Sequence, residues 1–222
     1  MNLIKKLSWV LILLLCAKYN FCFSQNENEM PSNEYIVYEE VDSLPTYIDG
    51  DMSDFYDYLY KKIKYTVGAR FGCKMGRIYI HFIINQNGGL DSLYALNRMD
   101  SILTARSLKA IEMTSGKWNP GKVEGVTVNT RMILPITFQN PDCLKRYRKK
   151  FNMAIEYYVK NDFTKALTYF RSTYFMNPSD EILLTKMAEC YLKINKPDSA
   201  CYYLSNALFD ENALKMQSRI CK

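Results

Sequence analysis

The stretch Lys117–Phe138 reads K-W-N-P-G-K-V-E-G-V-T-V-N-T-R-M-I-L-P-I-T-F, and it leaves the chain few ways to fold. From Val126 onward, Val126, Val128, Thr130, Met132, Leu134, Ile136 and Phe138 fall on one side of an extended backbone. Thr127, Asn129, Arg131, Ile133, Pro135 and Thr137 fall on the other. A period of two sustained this long predicts a single long strand with one buried face. Pro120-Gly121 and then Gly125 mark a tight turn before it. Pro135 cannot donate to a ladder, so the pattern predicts a strand at a sheet edge. An edge of that length invites pairing with a foreign chain. Val126, Thr127, Val128, Asn129, Thr130, Arg131 and Met132 are therefore the candidate peptide-binding residues, acting by strand addition. Asn129 and Arg131 are expected to face outward and read the ligand's sequence.

The residues upstream supply partners for such a strand. Asp51 or Ser53 is expected to cap a helix running to about Lys64, with Phe55, Leu59 and Ile63 on one stripe. The acidic spacing Asp49, Asp51, Asp54 superficially suggests a calcium loop. However, Asp54 stands where glycine belongs and Tyr60 where a bidentate glutamate belongs. After a turn at Gly72–Gly76, Ile78, Ile80, Phe82 and Ile84 alternate with Tyr79, His81 and Ile83. This places His81, the sole histidine, on the exposed side of a strand. Asn85-Gln86-Asn87-Gly88-Gly89 reads as a hairpin loop, followed by a return strand over about Leu90–Arg98. Ser101 then caps a helix carrying Ile102, Ala105, Leu108 and Ile111. Trp118 is expected to pack on that helix with its N–H satisfied locally. The sum is an α+β arrangement, a small antiparallel sheet with helices on one face.

The ordered set of G-x-I-Y-I-H-F-I-I-N-Q-N-G-G-L, a helix, W-N-P-G-K-V-E-G-V-T-V and L-P-I-T-F resembles the C-terminal domain of the TonB energy transducers, over Leu44–Gln139. The resemblance implies the α+β fold, a periplasmic place and a protein or peptide partner such as the plug region of an outer-membrane transporter. It also implies a contact through Tyr65, although the family's Tyr-Pro pair is Tyr65-Thr66 here. Full transducers use a membrane anchor with a functional histidine and a long proline-rich linker. The first segment here has no histidine, and residues 25–43 form a short polar linker with one proline, Pro31. A peptide-binding module of this shape is the reading favoured over a complete transducer.

Met1–Ser24 reads as a secretory signal, with Lys5-Lys6, an apolar run from Leu7 to Ala17, and Cys22-Phe23-Ser24 before Gln25. That run is short of the roughly 20 residues a bilayer requires, and cleavage predicts a periplasmic protein. A retained anchor is the alternative and would give an inner-membrane transducer; membrane association follows only in that case. Removing Lys5, Lys6 and Lys18 takes the formal charge from +6 to +3, too mild to indicate nucleic acid. Five cysteines remain, and an odd number leaves at least one thiol without an intramolecular partner. Cys190 and Cys201 are expected as small buried side chains, with a bridge between them the less favoured reading.

From Cys143 the pattern turns helical, after Pro141 and beginning with the basic run Lys145-Arg146-Tyr147-Arg148-Lys149-Lys150. A solvated helix start is the first reading of that run and an acidic partner the second. Comparing the region with itself at an offset of 34 aligns Met153 with Met187, Ala154 with Ala188, Tyr157 with Tyr191, Ala166 with Ala200 and Phe170 with Leu204. This period resembles the tetratricopeptide repeat and predicts paired helices over 143–222 closed by a helix containing Ala213 and Ile220. Two repeats are fewer than such stacks usually need, so the helices are expected to lean on the first domain or on a partner. No nucleophile elbow, phosphate loop, zinc-protease helix or Cys-His pair is present. The expectation is a protein with no catalytic residue, metal site or cofactor.

Overall fold

A computed structural model describes residues 35–97 and 99–221, so Met1–Ser24 and most of the expected linker lie outside the described residues. In chain order, strands β1 (Val37–Tyr38) and β2 (Thr46–Tyr47) precede helices α1 (Met52–Ile63) and α2 (Val67–Phe71). Strands β3 (Gly76–Ile84) and β4 (Leu90–Ala95) form a hairpin, followed by helix α3 (Ser101–Glu112). Strands β5 (Trp118–Asn119), β6 (Gly121–Val123) and β7 (Val126–Phe138) complete the β-rich half.

Local chemistry accounts for the boundaries. Asp51 caps α1, its carboxylate accepting from Ser53 and Asp54, while Asp54 accepts from the Asp51 amide in return. Asp100, rather than Ser101, caps α3. In the β3–β4 loop, Asn85 Oδ1 accepts from the amides of Asn87 and Gly89. Gly88 sits at φ +77°, and a Cβ there would lie 2.1 Å from the Trp118 carbonyl oxygen, so both the turn and the close approach require glycine. Trp118 makes ring contacts with Phe55 of α1 and Phe82 of β3, and its indole N–H is satisfied locally as expected, donating to Thr114 Oγ1 at 3.1 Å.

The main sheet runs β1-β7-β3-β4, with β6 also paired to β7. Here the edge expectation fails. β7 pairs antiparallel with β3 from Thr130 to Phe138, with β6 over Val126–Val128, and in parallel with β1 at Asn129 and Thr130. Pro135 restricts only the flank toward which its own missing N–H would point, so it is compatible with a full partner on the other flank. The described part of the expected flexible linker, residues 35–43, is instead tied to the sheet. β1 belongs to the sheet, and the Asp42 amide donates to the Lys122 carbonyl at 2.9 Å. His81 is buried rather than exposed, at 6%. It lies against the Tyr94 ring at 4.5 Å and its Nδ1 is 3.0 Å from the Ser92 carbonyl oxygen. Tyr94, projecting from the return strand, covers what alternation alone would leave open.

The other half is helical: α4 (Pro141–Val159), α5 (Phe163–Tyr174), α6 (Glu181–Lys193), α7 (Pro197–Leu204) and α8 (Glu211–Ile220). Asn140, Asp162, Asp180 and Asp210 cap four of these helices, and proline opens α4 and α7. The 34-residue offset is visible in the backbone, since Asn161 and Asn195 both take positive φ, 60° and 56°. It is visible in the packing too, where Ala154, Ala188, Ala166, Ala200, Phe170 and Leu204 are fully buried. The four alanines let the helices approach closely.

The two halves are joined. The amide of Met75 donates to the Met176 carbonyl at 2.7 Å, and that of Arg77 to Ser179 Oγ at 2.7 Å. Cys73 is bridged to Cys143, and Cys73 and Met75 are part of the helical core. A second bridge links Cys201 to Cys221, so Cys201 is a bridge partner rather than a simple packing residue and does not pair with Cys190. Cys190 is the buried free thiol among the described residues, its pKa pushed up to about 12 by burial.

Candidate functional site

The most distinctive unpaired surface of the β-rich half is one flank of β7, and its geometry follows from β3. The amide of Tyr79 donates to Asn97 Oδ1 and its carbonyl accepts from Leu96, so the Tyr79 backbone faces β4. Its cross-strand partner is Pro135. Directly opposed residues of an antiparallel pair share one orientation, so the backbone of Pro135 faces away from β3. By alternation, so do those of Arg131, Ile133 and Thr137. β1 reaches only to the level of Thr130. Beyond it, no described residue pairs with the amides of Ile133 and Thr137.

At the Thr137 end this flank opens into a cavity of about 220 Å³ lined by Tyr60, Ile63, Lys64, Tyr65 and Thr137. Tyr65 is half-buried. Its ring lies 5.8 Å from that of Phe138 and its hydroxyl donates to the Lys74 carbonyl. Burial pushes its phenol above the ordinary value. At the other end, β1 is pinned by the Asn129 side-chain Nδ2 donating to the Ile36 carbonyl at 3.1 Å and by an Arg131–Glu39 ion pair.

The expected binding residues therefore do not form one free surface. Val126, Thr127 and Val128 are already paired with β6, and Asn129 and Thr130 with β1. Asn129 is buried, its Oδ1 taken by the Gln86 amide, so it is not placed to read a ligand. Arg131 and Met132 lie where the open stretch begins. Tyr65 is at the opposite end of β7, roughly 40 Å from Val126 at about 3.3 Å per residue. Ile133, Thr137 and Tyr60 were missed, although the signal was present. A proline tolerated within a ladder shows which parity of residues faces away from the partner strand.

The acidic loop does other work. Asp51 and Asp54 cap α1. Asp49 meets Lys117 at 2.7 Å, which holds its carboxyl below the usual range. Among the described residues, no group of three or more His, Cys, Asp or Glu is placed to hold a metal ion. No helix among them is long and apolar enough to cross a membrane.

No protein-family model matches this chain, and no curated protein does. Among solved structures, it is similar to the TonB C-terminal domain of Helicobacter pylori, determined by NMR in solution. The identity is 19%, the match covers 40% of this chain and 91% of that one, and the TM-score is 0.32.

Proposed function

We propose that the β-rich half is a TonB-like protein-interaction module that docks an extended partner segment on the open flank of β7, between β1 and the Tyr60–Tyr65 cavity. The observation that carries this reading is the pair of unpartnered outward amides at Ile133 and Thr137 on a strand whose other flank is laddered to β3 from Thr130 to Phe138. An added strand would take up those amides and the carbonyls beside them, each bond contributing about 0.5–1.5 kcal/mol net. A side chain at the strand's end would enter the cavity beside Tyr65. The sequence resemblance suggests an outer-membrane transporter as the source of the segment. The protein is exported to the periplasm and non-catalytic, and the helical half, with its 34-residue period, offers a second, tetratricopeptide-like protein-binding surface.

Proline at an outward position removes the docking amide while sparing the β3 ladder. A double variant, Ile133→Pro with Thr137→Pro, is thus expected to lose the species that the full protein captures from envelope extract, with its melting temperature little changed. Capture at the same level by a folded double variant contradicts the mechanism. Sequencing the mature N-terminus tests export, since Gln25 as the first residue supports it and an intact Met1 in inner-membrane fractions opposes it.

A further inference from the structure

Where the two halves meet, away from the β7 flank, the surface combines exposed aromatics with unpaired positive charge. Phe71, at the end of α2, is 82% exposed and Phe175, just after α5, is 65% exposed. They line an open cavity of about 420 Å³ together with Cys73, Met176, Arg146 and Lys150. Single exposed apolar side chains are ordinary, but two phenylalanines bordering one concavity are not.

Two of the three cations, Arg146 and Lys74, are held in place, and none is neutralised. Arg146 Nη2 lies 2.7 Å from Cys73 Sγ, which fixes the guanidinium at the mouth of the cavity. Lys150 follows one helical turn later. Lys74 sits 3.2 Å from the centroid of the Phe175 ring and donates to the Phe175 carbonyl at 3.0 Å. Among the described residues none of the three is within ion-pair distance of a carboxylate. Asp142, one turn before Arg146 on α4, makes no ion pair with it. A guanidinium with open donors beside an apolar concavity is suited to a carboxylate next to an apolar side chain.

We propose that this cavity is a docking site for an acidic polypeptide segment carrying an apolar or aromatic anchor. Arg146 and Lys150 take the carboxylates, and the space between Phe71 and Phe175 takes the anchor. The concavity favours a peptide over a flat lipid surface, because an inserted side chain fills it and a bilayer plane does not. The basic run beginning at Lys145 supplies long-range attraction as well, so binding weakens as salt is raised.

The test uses the full protein and a fluorescein-labelled (Glu-Glu-Phe)4 peptide, read by anisotropy. (Glu-Glu-Ser)4 and (Lys-Lys-Phe)4 serve as comparison peptides, and phosphatidylglycerol vesicles as a separate arm. The expected result is saturable binding of (Glu-Glu-Phe)4. Affinity should fall about tenfold or more in Arg146→Glu/Lys150→Glu and about fivefold in Phe71→Ser, with unchanged circular dichroism. Ile133→Pro/Thr137→Pro should bind the peptide as the parent does, which separates this site from the β7 flank. Absence of saturable binding, equal affinity in the folded charge-reversed variant, or equal binding of (Glu-Glu-Ser)4 overturns the proposal. So does vesicle binding that depends on Arg146 and Lys150 when the peptide does not bind.

Discussion

The two halves of the chain bury their hydrophobic residues on different terms. The β-rich core, centred on Phe55, Leu59, Ile80, Phe82, Trp118 and Ile136, draws only on its own segment, from Tyr47 to Phe138. The helical core, centred on Phe170, Leu184, Met187 and Leu204, also includes Cys73 and Met75 from the other half. Dependence therefore runs in one direction. The half that is complete in itself can leave a strand flank open, whereas the helical half is closed by a borrowed methionine and a disulfide.

The hardest test of this asymmetry is to separate the halves. A polypeptide beginning at Cys143 loses the buried Cys73 and Met75 side chains from its core, together about 5 kcal/mol, while the bridge is lost to both halves alike. At about 4–8 °C per kcal/mol for so small a domain, its melting temperature should fall by ~20 °C or more. Residues 35–140 should lose far less, and equal melting temperatures for the isolated helices and the whole chain would break the comparison. The bridges sharpen it. Cys73–Cys143 spans 70 residues and Cys201–Cys221 spans 20, so replacing the first pair with serine should cost about 1 kcal/mol more in urea unfolding than replacing the second.

Next in size is Trp118→Phe, which leaves Thr114 Oγ1 without the indole donor and opens space beside Phe55. Denaturant titration should register a loss of about 1–3 kcal/mol, and the helical half should be unaffected. The smallest effect lies at the junction. Glu181 has its pKa raised by burial, against the amide of Phe209, which it accepts at 3.2 Å and which lowers it. A raised folded value means that its contribution is full below the unfolded pKa and is lost as pH rises through the folded one. Glu181→Gln should therefore melt slightly higher than the parent at pH 7, by a few tenths of a kcal/mol after solvent screening, and the difference should vanish below about pH 4.

Much of this was readable from residue patterns, and the misses share one cause. The alternation at Ile78–Ile84 and Val126–Phe138, the Asn-Gly-Gly hairpin and the buried alanines at offset 34 all report local periodicity, which survives folding. Sheet order does not. Pro135 specifies the direction of one backbone group, and nothing in its neighbourhood told that Val37–Tyr38, some ninety residues earlier, would cover Asn129 and Thr130. His81 was misplaced for the same reason, since Tyr94 covers it from another strand. Cysteine pairing is equally non-local. Cys73 meets Cys143 only because the halves dock, so spacing could not identify it. For the candidate site, the correct strand was legible but the correct stretch of it was not.

The central claim is that β7 is laddered along one flank and open along the other from Ile133 to Thr137. Residue-resolved amide hydrogen exchange measures this directly and needs no partner. The account predicts slow exchange at Leu134 and Ile136, whose amides face β3, and exchange faster by orders of magnitude at Ile133 and Thr137. Uniformly slow exchange along the strand would mean the flank is already covered and would contradict the docking mechanism.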